Sequence, residues 1–562
     1  MTSTPQSREK LLRALTRLPS VTGSLEENDA ALFIRDYLME FDYYKKNPSH
    51  IFMFPTPSES GGAGPLYAVF ALMKAERRTA KTVVLLAHYD VVGVEVYGRL
   101  APYAFDPDEL AARLAFEDLP RLAADDLKSG WLFGRGVMDM KCGLALEMEL
   151  LRDFSEDRRL FDVNLLLLAV GDEENASCGA RGAARFLAEL KASGLEFLAC
   201  VNTEPSEPGL PGAEGQLVFV GTLGKLMPFF YCRGVDSHVG GYYRGFSAAL
   251  LSSRIVWLAE AAPELADPKG DYCQASWTCL GHKILSDGYS VTVPARSAAY
   301  FNCFVANKTP SNIMEEMRKI ASEAAESSAD KLAGSRSALA AMGYQAGMND
   351  KLNVKVVSFE EISKAAAESL EGGREALDRH TAEFLSRRPQ EDIRDAGIAV
   401  LEEFLRISPI APPFIAVGFL PPYNPPRTSL DGSRRSGVVV RAAESIISKA
   451  RERFGVSMEM AEFFGGLCDL SFMGYSGKPG DASKFTANCP GGNLLFDIPF
   501  DEMSAIDMPV MNLGPFGRDA HKMTERLEKK YSLEILPELI KFAVSAISGE
   551  HDRLGEQSGF LK

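Results

Sequence analysis

Three runs of aliphatic and β-branched residues, at 82–87, 164–170 and 197–201, are continuously apolar where a half-exposed strand would alternate. Their length predicts strands buried on both faces. Each run stops abruptly in a polar cluster: His88-Tyr89-Asp90, Asp172-Glu173-Glu174 and Asn202-Thr203-Glu204. Amphipathic helical stretches lie between them, so the first part of the chain predicts an α/β sheet covered by helices on both faces. In open sheets of this kind ligands gather at the carboxyl ends of the strands. The three clusters are therefore expected to converge in space.

The same reading extends along the chain. A glycine loop at 134–143 delivers Asp139 just before a helical run at 144–154. It lacks the Gly-Lys-Ser/Thr ending of a phosphate-binding loop, which excludes a nucleotide site of that kind. A second block starts near Gly224, with a strand at 227–233, a helix at 247–261, strands at 290–305 and a helix at 312–332; this β-α-β-β-α order predicts a small α+β sandwich domain inserted in the main one. Residues 362–407, rich in Glu, Arg, Lys and Ala at helical spacing, predict added helices. The proline-dense stretch 409–426 reads as a boundary or an irregular loop, with 414–419 a candidate strand inside it. A helix at 437–454 and a short strand at 509–513 follow, the latter leading to His521. The expected organisation is a main domain in two parts, 1–222 and 416–562, around an inserted domain at 223–415.

Composition narrows the classes of function. The 562-residue chain is too long for one ordinary domain, and its 46% apolar and 24% charged residues are those of a soluble globular protein. A net charge of -15 argues against a nucleic-acid binder, which needs a basic face to gain from counterion release. The nine cysteines are odd in number and irregularly spaced, so no disulfide framework is expected; Cys142, Cys178, Cys200 and Cys232 sit in or beside apolar runs and read as buried thiols in a reducing compartment. Residues 1–38 show no continuous apolar core of a signal peptide, and no later run is long enough to cross a bilayer. A cytoplasmic protein with a small-molecule partner, and neither nucleic acid nor membrane, is expected.

The polar clusters carry the chemistry. Two neighbouring metal ions need a bridging carboxylate and further imidazole or carboxylate donors, with a position left for water. His88 is a candidate imidazole donor, with Asp90 placed to hold the ring through its second nitrogen. Asp139 is the candidate bridge, Glu174 and Glu204 each complete one metal, and His521 supplies the second imidazole. Glu173, beside a donor but pointing elsewhere, is the candidate general base for the attacking water. A lone histidine at a strand end is usually a surface residue, and paired glutamates often open a solvated helix. Their combination at strand ends favours the metal reading.

The segments Leu86-Ala87-His88-Tyr89-Asp90, Gly134 to Gly143, Asp172-Glu173-Glu174 and Ala520-His521 resemble the motifs of peptidase family M20, which includes aminoacylases, carboxypeptidases and succinyl-diaminopimelate desuccinylase. The resemblance runs across almost the whole chain. It implies a zinc-peptidase-like catalytic domain with a central mixed sheet, an inserted lid domain and two divalent ions, zinc or else cobalt or manganese. It also implies that Asp139 bridges, with a cis peptide bond often following, that Glu173 is the base and Glu174 a ligand, and that His238, from the lid, steadies the oxyanion. The stretches 233–241 and 517–526 look like the longer, RocB-like subgroup associated with arginine utilisation, and Gly465 to Asp469 is similar to a family segment near the substrate. A lid can close on its own active site or lend His238 to a neighbouring copy, so a homodimer through the lid domain is within expectation. The substrate implied is an N-acyl amino acid or short peptide, cleaved at an amide bond.

Two departures stand out. Val291 and Phe304 occupy positions where many members carry an Asn and an Arg that grip the substrate carboxylate. They motivate an alternative: a non-catalytic metabolite-binding or regulatory protein on the same scaffold.

Overall fold

A computed structural model describes residues 3–56, 64–206, 215–269, 272–274, 276–286, 288–343, 353–388 and 392–559. The chain divides into two compact units, one of residues 1–223, 427–476 and 499–562, the other of 224–426 and 477–498.

The larger unit is built on an eight-stranded mixed sheet, in the order Ile51–Thr56, Leu66–Met73, Asn164–Val170, Lys81–His88, Glu196–Asn202, Val510–Asn512, Gln216–Phe219 and Met458–Ala461. Lys81–His88 runs parallel to both Asn164–Val170 and Glu196–Asn202, and Val510–Asn512 runs parallel to Glu196–Asn202. These adjoining strands therefore end on the same edge. The three long ones are apolar almost throughout because both faces are covered. Val69 and Ala71 join the core cluster that includes Leu146 and Met148 of helix Lys141–Glu156. Phe70, pointing the other way from the same strand, stacks edge-on with Phe186 of helix Cys178–Ala192. Among the described residues no helix is long and apolar enough to cross a membrane. Cys142, Cys178, Cys200 and Cys232 are buried, as expected.

The smaller unit holds a five-stranded sheet in the order Thr278–Ile284, Arg296–Val305, Gly224–Arg233, Phe414–Asn424 and Lys355–Ser358. Helices cover one face from the stretch expected to be helical, Phe359–Glu368, Gly373–Ser386 and Ile393–Ile407, whose Ile362, Leu377 and Leu401 pack with Phe229 and Tyr231. Residues 389–391 of that stretch lie outside the described residues. Helices Ala248–Ala259 and Pro310–Ala341 pack together and on the sheet as well.

Two boundaries differ from the sequence reading. The limit expected after residue 415 falls inside the strand Phe414–Asn424, whose eleven residues are all buried. Prolines are rare inside strands because they cannot donate to the ladder. Here Pro421 and Pro422 sit where pairing with Gly224–Arg233 shifts register between Leu420 and Asn424. The second difference is the stretch 477–498, expected in the main domain. It belongs to the smaller unit, where Phe485 packs on Phe419 and Tyr423 and the Phe419 N–H donates to the Asn488 carbonyl at 2.9 Å. The strand region expected at 290–305 begins only at Arg296.

Candidate metal centre

The parallel strands of the larger unit deliver their polar ends to one place. His88 is the last residue of its strand and is 1% exposed. After Asn164–Val170 the chain turns at Asp172, whose φ of 64° is a left-handed conformation that Asp tolerates. The turn is held by the Asp172 N–H on Glu27 Oε2 at 3.0 Å and by Cys178 N–H on Asp172 Oδ2 at 3.0 Å. Glu204 lies two residues beyond Glu196–Asn202, and His521 beyond Val510–Asn512. Gly514 permits the last two segments to meet: a Cβ there would stand 1.8 Å from the Glu204 carbonyl oxygen. Asp139 arrives on the loop before helix Lys141–Glu156, and the Asp139–Met140 peptide is cis.

The side chains lie at donor spacing. His88 Nε2 is 3.3 Å from Asp139 Oδ1 and 3.4 Å from Glu204 Oε1. His521 Nε2 is 3.2 Å from Asp139 Oδ2 and 3.0 Å from Glu174 Oε1. Two donors each about 2.1 Å from one ion at a tetrahedral angle stand about 3.4 Å apart. These separations fit two ions sharing Asp139, one oxygen each. Compact donor groups are His88 with Glu173 and Glu204, and His88 with Asp139 and Glu174. Glu173 Oε2 is 4.0 Å from His88 Nε2, outside hydrogen-bond reach of the ring.

Asp90, fully buried, ties the cluster together. Its carboxylate oxygens accept the backbone N–H groups of Glu173 at 3.2 Å and Glu174 at 3.3 Å, and the Thr22 hydroxyl at 2.8 Å. The second nitrogen of His88 is nearer the Asp90 carbonyl oxygen, at 3.0 Å, than its carboxylate, at 3.5 Å. The carboxylate expected to hold the ring thus mainly holds the Glu173-Glu174 backbone, and the Asp90 main chain meets the imidazole.

The cluster crowds carboxyl groups against two imidazoles. Among the described residues no Lys or Arg forms an ion pair with Asp139, Glu173, Glu174 or Glu204. Burial, together with Asp139 and Glu174, outweighs His88 and pushes the Glu204 carboxyl up to about 8. Burial likewise raises Glu173 well above the ordinary range, reinforced by Glu204 and Asp469, and raises Glu174. The buried Asp469, in the segment the sequence placed near the substrate, is pushed up to about 7, chiefly by burial. Hydrogen bonds to Asp139 and Glu174 raise His521 to about 10. Burial lowers His88, but Glu204, Asp139 and Asp90 together leave it well above its usual value. Asp139, although largely buried, is held below the usual carboxylate range by hydrogen bonds to His521 and His88. A crowd of buried carboxyls served only by two imidazoles is the environment that divalent cations neutralise.

His238 is carried by the smaller unit and is not among the residues that the larger unit brings together. It is exposed, follows the strand Gly224–Arg233, and its Nδ1 accepts the Gly240 N–H at 3.1 Å. Sequence reasoning missed two buried charges next to the centre, Arg135 and Glu525.

The larger unit thus gathers an acidic, imidazole-bearing cluster where parallel strands of its mixed sheet end. The chain belongs to peptidase family M20/M25/M40, whose model matches residues 84–493. It is 31% identical over 558 residues to the uncharacterized protein YqjN of Bacillus subtilis (strain 168), covering 98% of each chain. It is 28% identical over 535 residues to the protein RocB of the same strain, covering 95% of this chain and 93% of RocB. Among solved structures it is similar in fold to the di-peptidase Dug1p of Saccharomyces cerevisiae, with a TM-score of 0.54 at 13% identity over 97% of this chain and 98% of that one.

Proposed function

We propose that this chain hydrolyses an amide or peptide bond of a small substrate, an N-acyl amino acid or short peptide, using two divalent ions, zinc or a similar metal. The observation that carries the reading is the shared carboxylate: Asp139 offers one oxygen to the His88–Glu204 side and the other to the His521–Glu174 side. Such ions, when bound, lower the pKa of water and polarise the scissile carbonyl. The chain's own residues do the rest. The Glu173 backbone is held by its N–H on Asp90, and its carboxylate, beside His88 and Glu204, is assigned to take a proton from the attacking water and pass it to the leaving nitrogen. A largely buried carboxyl whose pKa is raised, chiefly by burial, suits a group that must both accept and return a proton. His238 is assigned to the oxyanion of the tetrahedral state, as a donor supplied by the smaller unit.

Retention of a proton-carrying Glu173 argues for turnover over mere binding of a metabolite. The test is Glu173→Ala, assayed for metal content and for hydrolysis of a panel of N-acyl amino acids and dipeptides. Full metal content with activity reduced by about 10²–10⁴-fold is expected. Near-normal turnover in the variant rejects the assignment of the base.

A further inference from the structure

We infer that Arg135 and Glu525 are positioning residues that hold the two sides of the metal centre in register; the inference rests on the two-ion reading above. The residues are 390 positions apart, yet they form an ion pair in which Arg135 is 1% and Glu525 0% exposed. Glu525 Oε2 accepts from Arg135 Nη1. Glu525 Oε1 faces the backbone N–H groups of Met138 and Asp139, 3.4 Å from each. Arg135 Nη2 donates to the His521 carbonyl oxygen at 3.1 Å and to that of Gly93 at 3.3 Å. One buried pair therefore touches the main chain of both Asp139 and His521, whose side chains stand 3.2 Å apart.

The surrounding structure shows why such a device is needed. Asp139 and His521 come from segments nearly 400 residues apart, and a small sheet stitches them: Leu132–Phe133 pairs with Arg526–Leu527, which pairs with Gly517–Arg518. Between the last two strands the chain turns through Asp519 at φ 61° and His521 at φ 65°, conformations that non-glycine residues keep only where their surroundings hold them. The outer side of this turn is held by Asp519, which accepts from Arg526 and, at 2.8 Å, from Thr524. Arg526 is anchored in turn by Asp126 at 2.7 Å. The inner side, facing the donors, has the Arg135–Glu525 pair. A buried ion pair is by itself weak evidence for stability. Here its free arms end on the backbone of two candidate ligands, and such outer partners of metal ligands commonly set affinity.

The test is a calorimetric titration of the metal-stripped full chain with Zn²⁺, repeated with Co²⁺ by visible absorption. It is applied to the natural chain, to Glu525→Gln, and to the double variant Arg135→Met with Glu525→Leu, which removes the pair without stranding a buried charge. Circular dichroism and melting of the metal-free proteins establish folding first. The expected result is two ions per natural chain, with at least one binding step weakened about 10–100-fold in the folded variants and an altered Co²⁺ spectrum. Two unweakened steps in a folded variant overturn the inference. Failure of both variants to fold before metal is added also overturns it, since the pair is then a folding element. Fewer than two ions on the natural chain rejects the two-ion reading instead.

Discussion

The strand-end cluster of the larger unit and the His238 turn of the smaller unit treat their polar groups in opposite ways. In the cluster the polar groups meet one another: Asp90 binds two successive backbone N–H groups, and both imidazoles face carboxylates. His238 is exposed, and among the described residues its ring accepts the backbone N–H of Gly240, two residues on. The first arrangement is assembled by folding. The second keeps an imidazole at the surface, which suits the donor role proposed for it.

Removing each kind of group should separate these behaviours. The largest effect after loss of the base is expected at the exposed residue: His238→Ala should lower kcat by about 10²–10³-fold while leaving metal content unchanged. Equal loss of metal would put His238 inside the centre and erase the contrast. Next comes packing beneath the cluster. Gly514→Ala forces a Cβ against the Glu204 carbonyl, so Glu204 must move; a destabilisation of about 1–3 kcal/mol and weaker metal uptake are expected, read from urea melts and titration. A variant as stable and as metal-avid as the natural chain would show that this strand contact does not position Glu204.

The smallest effect is one of pH. Glu204, raised to about 8, and His521, raised to about 10, hold protons near neutrality that bound cations must displace. Metal affinity should therefore rise with pH between about 6 and 8, with proton release visible as a buffer-dependent heat. The metal-free fold should respond the other way. Both groups bind more protons folded than unfolded in this window, so stability falls as pH rises through it. Melting temperatures of the stripped protein at pH 6 and pH 8 give the sign; a rise with pH would contradict these shifts.

Much of the larger unit was legible because its signal is local. A strand buried on both faces is written as an unbroken apolar run, and Asn164–Val170 occupies the run that predicts it. The polar residues ending such runs share an edge whenever the strands are parallel, which made His88, Glu174 and Glu204 candidates before any geometry was known. The inserted unit was less legible at its limits. Its strand Phe414–Asn424 carries prolines and looks like a break, and the return of residues 477–498 depends on Phe485 meeting Phe419, a contact with no local pattern. Arg135 and Glu525 were hidden for the same reason. Each is an ordinary charged residue until a partner hundreds of positions away buries it.

The central claim is that one carboxylate, Asp139, is shared by two ions. The direct measurement is equilibrium metal content, by elemental analysis after dialysis against buffered Zn²⁺, of the natural chain and of Asp139→Ala confirmed as folded. The account predicts two ions per natural chain and loss of both, or retention of one weakly held ion, in the variant. Two tightly bound ions in Asp139→Ala would contradict it.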